Sequence, residues 1–211
     1  MPPAKSPPAE EVIAIPIPDG ELHYWPQAFT ADEAVEWLAR LRESLDWRQE
    51  EIVIFGQSRR VPRLVAWHGD PGAGYTYSGT FHEPQPWTPE LETIRRRVQH
   101  LCSHPFNSVL ANLYRDGRDG MGWHADDEPE LGRNPAIASV SFGATRRFRL
   151  RHRRNALEPV TLPLASGSLL LMSGALQHHW VHALPKTAVP VGERLNLTFR
   201  HIVPGVALLQ Q

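Results

Sequence analysis

The run Tyr114-Arg-Asp-Gly-Arg-Asp-Gly-Met-Gly-Trp123-His124-Ala125-Asp126 has glycine at 117, 120 and 122, a spacing that predicts a tight, bending loop between two ordered segments. If the chain is extended at 124 to 126, a side-chain period of two puts His124 and Asp126 on one face. Imidazole and carboxylate side by side are two metal ligands that need a third. Candidates lie in Gln177-His178-His179-Trp180-Val181-His182, where position 182 is expected to open a polar connection from Ala183 to Glu193. Two histidines and a carboxylate, with no thiolate near them, match the triad that holds non-haem Fe(II) and leaves coordination positions open. An isolated His-x-Asp is more often a loop pair in which the acid orients the imidazole, so its weight depends on the surrounding chain.

Around this run the hydrophobic period is two. Segments 108–114, 136–142, 147–150, 168–172 and 195–199 read as short strands separated by turn residues. Gly167 supplies the backbone freedom for a corner before Ser168. No dinucleotide or phosphate-loop glycine pattern interrupts them. Upstream the period is helical. Thr30-Ala-Asp-Glu33 is a capping box followed by Val35, Leu38, Leu41 and Leu45. Thr88-Pro89 caps a second helix with Leu91, Ile94, Val98 and Leu101 on its inner face, while Arg95, Arg96 and Arg97 ride outside. Val12 to Tyr24, broken by Pro16 and Pro18, suits an edge strand. Helices first and many short strands after them predict an α+β, mainly β chain: a closed or two-sheet barrel with helices packed outside.

With 211 residues and one cysteine, Cys102, the chain can bury a core and has no internal disulfide framework. It shows no apolar run of membrane-spanning length and no signal-peptide pattern, so the expected setting is cytoplasmic, or nuclear in a eukaryote, without a membrane partner. A net charge of −1 does not by itself mark a nucleic-acid protein. Arg146-Arg-Phe-Arg-Leu-Arg-His-Arg-Arg154 does give a local polyanion signal, which neighbouring carboxylates could equally absorb. The last strand adds another. Arg194, Asn196, Thr198 and Arg200 share one face and Leu195, Leu197 and Phe199 the other; Asn112 and Tyr114 share a face upstream. Two guanidiniums facing one side fit a water-filled face or a pocket for a dicarboxylate.

Together, Asn112-Leu-Tyr114, Trp123-His-Ala-Asp-Asp-Glu-Pro129, Ile137 to Ala144, Trp180-Val-His182 and Arg194-Leu-Asn-Leu-Thr-Phe-Arg200 resemble the AlkB family of 2-oxoglutarate- and Fe(II)-dependent dioxygenases, in the branch of homologues 2 and 3. The resemblance runs from about Ile52 to Pro204. It implies a double-stranded β-helix, or jelly roll, under a nucleotide-recognition lid. The expected division is a tail at 1–10, helices and lid at 11–106 integral to a single domain, a catalytic core at 107–205 and a tail at 206–211. By position, His124, Asp126 and His182 match the metal ligands and catalytic centre; His178 and His179 remain competitors from spacing alone. Arg194, Asn112 and Tyr114 match the grip on the distal carboxylate of 2-oxoglutarate, and Asn196 and Arg200 match groups near its chelating end.

The implied activity is oxidative demethylation of N-alkylated bases in DNA, and as a further expectation RNA, by a monomer using Fe(2+), 2-oxoglutarate and O2, with release of formaldehyde, succinate and CO2. A base enzyme must draw its target from the stack. Tyr77 resembles the base-stacking aromatic of the family's lid, Tyr75 its rim, and Glu128 the acidic group near the flipped base. In Glu51-Ile-Val-Ile-Phe-Gly-Gln-Ser-Arg-Arg-Val-Pro-Arg63, an apolar run passes at Gly56 into a basic one. That suits a hairpin whose Phe55 wedges between bases while Arg59, Arg60 and Arg63 meet phosphates. The plainer reading of Phe55 is a packing residue. Alternatives from other classes stay open: a non-catalytic nucleic-acid-binding module on this fold, or an oxygenase acting on protein or a small molecule.

Overall fold

The computed structural model describes residues 11–203 apart from 55–56, 78–79 and 155–156, with side chains described outside 52–59 and 75–82. The two tails expected at 1–10 and 206–211, and Phe55, lie outside the described residues. In chain order the elements are β1 (Ile13–Ala14), β2 (Glu21–Trp25), α1 (Ala31–Ser44), β3 (Glu51–Ile54), β4 (Gln57–Arg60), β5 (Leu64–Gly69), β6 (Tyr75–Tyr77), β7 (Thr80–His82) and α2 (Pro89–Cys102). The second half holds β8 (Ser108–Tyr114), β9 (Met121–His124), β10 (Ile137–Gly143), β11 (Arg146–His152), β12 (Val160–Leu164), β13 (Ser168–Ser173), α3 (Leu176–His179), β14 (Trp180–Leu184) and β15 (Arg194–Arg200). A seven-stranded sheet has the order β1-β2-β13-β10-β15-β8-β5 and a four-stranded sheet the order β12-β11-β14-β9; β3-β4 and β6-β7 are separate hairpins. The paired strands run antiparallel, and the mainly β jelly-roll architecture is the expected one.

Both caps form as their sequences dictate. Glu33 N–H donates to Thr30 Oγ1 at 3.2 Å while Thr30 N–H donates to the Glu33 carboxylate at 2.8 Å. Leu91 N–H donates to Thr88 Oγ1 at 3.3 Å ahead of Pro89. Each such cap stabilises its helix by about 1 kcal/mol. Glu33 also accepts from Arg97 at 2.8 and 2.9 Å, joining the helices, and Arg95 and Arg96 pair with Asp70 and Glu92. The inner face of α1 differs from expectation by one position. Ala34 is fully buried and Val35 is 70% exposed, because a methyl group lets the helix approach the sheet more closely than a β-branched side chain would. On α2, Cys102 rather than Leu101 completes the buried stripe.

Alternation along the large sheet separates two cores. Val109, Ala111 and Leu113 of β8, Val140 and Phe142 of β10, Leu169 and Leu171 of β13 and Leu195, Leu197 and Phe199 of β15 pack against α1 and α2. The opposite parity, with Ile137, Leu170 and Met172, faces β11 and β12 through Phe148, Leu150 and Leu164. β15 is consequently buried at every residue. Gly167 takes φ +81° at the corner before β13, where an added Cβ would sit 2.4 Å from the Phe29 carbonyl oxygen. The segment read as one edge strand divides at its prolines: β1 forms the edge, while β2 lies inside it, paired with β13.

Candidate active site

The polar parity of β8, β10 and β15 opens into a cavity of about 130 Å³ between the two sheets, whose opposite wall is β9 and β14. His182 sits in the middle of β14, directly across from His124 of β9 in the strand register. This corrects the expected loop boundary: the strand continues to Leu184, held by its pairing with both β9 and β11. His124, Asp126 and His182 bring ligand atoms within 4.8 Å of one another. The two imidazole centroids are 4.3 Å apart.

The donor chemistry suits a cation. His124 Nδ1 lies 2.9 Å from the Gly122 carbonyl oxygen, which fixes the proton on Nδ1 and leaves Nε2 with its lone pair. His182 is 4% exposed, and its Nδ1 is buried with no hydrogen-bond partner among the described residues. Burial is the largest cause that lowers its pKa, to about 3, so this imidazole is in the neutral form a metal requires. Burial alone would raise the Asp126 carboxyl, but Arg200 and the two imidazoles outweigh it and hold it at about 2. Arg200 donates to Asp126 Oδ1 at 3.0 Å, and the Asp126 N–H donates to Gln177 Oε1 at 3.0 Å. Two imidazoles, one of them held neutral by burial, and an ionised, oriented carboxylate on one wall fit a divalent iron site.

The cosubstrate candidates line the same cavity. Arg194 is 2% exposed, donates to Ser141 Oγ at 2.9 Å and stands 5.4 Å from the centre of the Tyr114 ring. Burial lowers its pKa, to about 10, leaving it charged at neutral pH without a carboxylate partner among the described residues. A buried guanidinium in that state is costly unless an anion enters the cavity. Asn112 and Tyr114 line the cavity beside it, as do Asn196 and Arg200. The Asn196 amide donates to Ser139 Oγ and the Val140 carbonyl, both at 2.8 Å, so it braces β10 as well as lining the wall. Glu128 lies at the cavity too, two residues past Asp126.

Arg63 departs from expectation. It is 3% exposed and its Nε donates to Asn112 Oδ1 at 2.8 Å, so it faces the cavity and not an outer phosphate surface. The reason is register: Leu64 pairs with Leu113, which starts β5 against the site strand β8. Arg60 is exposed, with Nε 3.4 Å from Glu51. Arg59, Tyr75 and Tyr77 are on β4 and β6, and their side chains lie outside those described. The 146–154 arginine run is split by the strand period. Arg146 turns inward and donates to the carbonyls of Asp116, Asp119 and Pro185 at 3.2, 3.0 and 2.8 Å. Arg149 and Arg151 turn outward over the exposed Trp123 ring, at 5.7 and 4.6 Å.

His178 contacts the Arg133 carbonyl, and His179 joins Asp19 and His152 in a second cluster. There, His152 Nδ1 accepts the Arg154 N–H at 3.1 Å, which leaves the proton on Nε2, 3.2 Å from Asp19. That tautomer describes a hydrogen-bonded clasp, because the nitrogen facing Asp19 has no lone pair to offer a metal. Gln177 is the site residue that pattern reading missed; no periodicity marks a side chain whose partner is 51 positions away.

A jelly roll with two histidines, a carboxylate and a buried arginine converging between its sheets defines a class. The chain belongs to the 2OG-Fe(II) oxygenase superfamily, whose family model matches residues 21–200. Human "Alpha-ketoglutarate-dependent dioxygenase alkB homolog 3" is 41% identical over 83% of this chain and 64% of its own length. "DNA oxidative demethylase ALKBH2" is 44% identical in Bos taurus, over 82% of this chain and 65% of the relative, and 43% identical in Homo sapiens, over 82% and 69%. These similarities put the chain in the AlkB family, on the branch of homologues 2 and 3, and it spans about two thirds of the length of these relatives. The solved "The structure of OsALKBH1" shares the fold, with a TM-score of 0.66 at 15% identity over 90% of this chain and 100% of that one.

Proposed function

We propose that the chain is an Fe(II)- and 2-oxoglutarate-dependent dioxygenase that oxidatively demethylates N-alkylated bases in DNA. The observation that carries this reading is the convergence of the His124, Asp126 and His182 group with the uncompensated Arg194 guanidinium in one cavity. His124, Asp126 and His182 would hold the metal. Arg194, with Tyr114 and Asn112 beside it, would hold the distal carboxylate of 2-oxoglutarate through charge-assisted hydrogen bonds. When bound, Fe(II) with 2-oxoglutarate and O2 supplies oxidation of an N-alkyl carbon, and a methyl group leaves as formaldehyde alongside succinate and CO2.

The protein's own part is orientation and exclusion of water. Arg200 keeps the Asp126 carboxylate ionised and turned toward the imidazoles. Leu110, Met121, Phe148, Met172 and Leu184 make the rest of the wall apolar, which limits water at the reacting carbon. Glu128 stands at the cavity to meet the polar edge of an extruded base. Outside it, Arg147, Arg149 and Arg151 project from β11, a row suited to phosphates. The DNA-directed reading draws support from relatives named as DNA oxidative demethylases. The expectation that Phe55 acts as a wedge on duplex DNA falls outside the described residues.

The test is anaerobic loading with Fe(II) and 2-oxoglutarate, then exposure to O2 with N-methylated single- and double-stranded DNA and single-stranded RNA. Loss of the methyl mass from a DNA strand with matching succinate is expected. Succinate formation that no methylated strand stimulates, with every strand unchanged, would move the reading to a protein or small-molecule substrate.

A further inference from the structure

The Asp126 carboxylate cannot owe its direction to a sheet, because β9 ends at His124. Its backbone N–H is nevertheless buried and must find a partner. That partner is Gln177 Oε1 at 3.0 Å. Gln177 has 0% exposure, and its Nε2 points at Met172 Sδ, 3.9 Å away. The amide orientation is forced, since a flipped side chain would set an NH2 group against the Asp126 N–H. An apolar residue would pack beside Met172 equally well, so packing does not explain a buried amide here.

Gln177 also lies on α3, which runs directly into β14 and His182. Its carbonyl accepts from Arg153 at 3.4 Å, and the same Arg153 NH2 group meets Asp127 at 2.6 Å. The segment bearing Asp126 is thereby tied twice to the segment that leads into His182. We propose that Gln177 is a positioning residue for the metal-binding carboxylate. By fixing the Asp126 amide it fixes the direction of the side chain; with Oδ1 on Arg200, the second oxygen is left for the cation. Groups that orient a ligand in this manner typically change metal affinity by about 10- to 100-fold when removed.

This inference rests on Asp126 being a ligand, and the experiment separates the two. Metal-free protein is titrated with Mn(II) by calorimetry, well below its melting temperature, for the native chain, Asp126→Ala, Gln177→Met and Gln177→Asn. Native-like binding by Asp126→Ala would defeat the metal assignment itself. With that variant silent, both Gln177 variants are expected to bind Mn(II) about 10- to 100-fold more weakly and to alter the ligand-field absorption of bound Co(II). Gln177→Asn stays polar and smaller, so it keeps the fold while falling one methylene short of the amide. A folded Gln177 variant that binds Mn(II) within about twofold of the native protein, with an unchanged Co(II) spectrum, would overturn the proposal and leave Gln177 a structural residue.

Discussion

The two faces of β15 are both buried and chemically opposite. Leu195, Leu197 and Phe199 meet the helices, whereas Arg194, Asn196, Thr198 and Arg200 face the cavity between the sheets. On the first face burial is its own explanation, because each apolar side chain gains by leaving water. On the second, burial costs free energy that the fold offsets only in part. Arg200 has Asp126, and Asn196 has Ser139 and Thr198, but Arg194 meets the Ser141 hydroxyl and Tyr114 with no carboxylate partner among the described residues. A strand that tolerates such an imbalance on one face is shaped for a ligand there.

The sharpest break in that comparison is at the metal group. His124→Ala, Asp126→Ala and His182→Ala are each expected to abolish turnover and metal binding, while His179→Ala, in the Asp19 and His152 clasp, keeps both. Loss of iron from folded His179→Ala with His182→Ala still binding would reverse the assignment. Next, Arg194→Ala should weaken 2-oxoglutarate by about a hundredfold or more, the usual result of removing one partner from a buried charged pair. Arg194→Lys should recover only part, because an ammonium cannot reproduce the guanidinium fork. Calorimetry with Mn(II)-loaded protein measures both.

The opposite face should respond in the opposite currency. Leu197→Ala, fully buried against the helices, is expected to cost about 2–5 kcal/mol in urea unfolding while the folded variant binds 2-oxoglutarate as the native chain does. A change in affinity without a change in stability would erase the division between faces. The smallest effect belongs to the helix side, where burial pushes the Cys102 thiol from 9.0 up to about 12. Folded protein keeps the proton that the unfolded chain releases above about pH 9, so Cys102 contributes stability below that pH and loses it progressively as pH rises toward 12. Cys102→Ala should flatten that alkaline loss, as urea midpoints against pH would record.

What the sequence made legible follows the range of each interaction. The caps at Thr30 and Thr88 are local, and the period-two sorting of Arg194 and Arg200 from Leu195 and Phe199 needs only one strand. The His124 and Asp126 pair was readable from two positions' spacing, whereas choosing His182 over His179 required register across β9 and β14. Val35 fits the periodic pattern of a core residue because hydrophobicity outweighs size in such a pattern, yet the sheet's closeness selects Ala34. The inward direction of Arg63 and the role of Gln177 escape pattern reading for one physical reason. A buried polar side chain is defined by a distant partner, here Asn112 and the Asp126 amide, and nothing in its own neighbourhood announces that.

The claim that one cavity takes both a cation and a dicarboxylate is tested most directly by titrating 2-oxoglutarate into the native protein anaerobically, with and without Mn(II). Metal chelation and the Arg194 contact should act together, so binding is expected to tighten by at least tenfold when Mn(II) is present. Reciprocally, 2-oxoglutarate should tighten Mn(II) by the same factor. Affinity for 2-oxoglutarate that is indifferent to the metal, or no binding in either condition, would contradict the account.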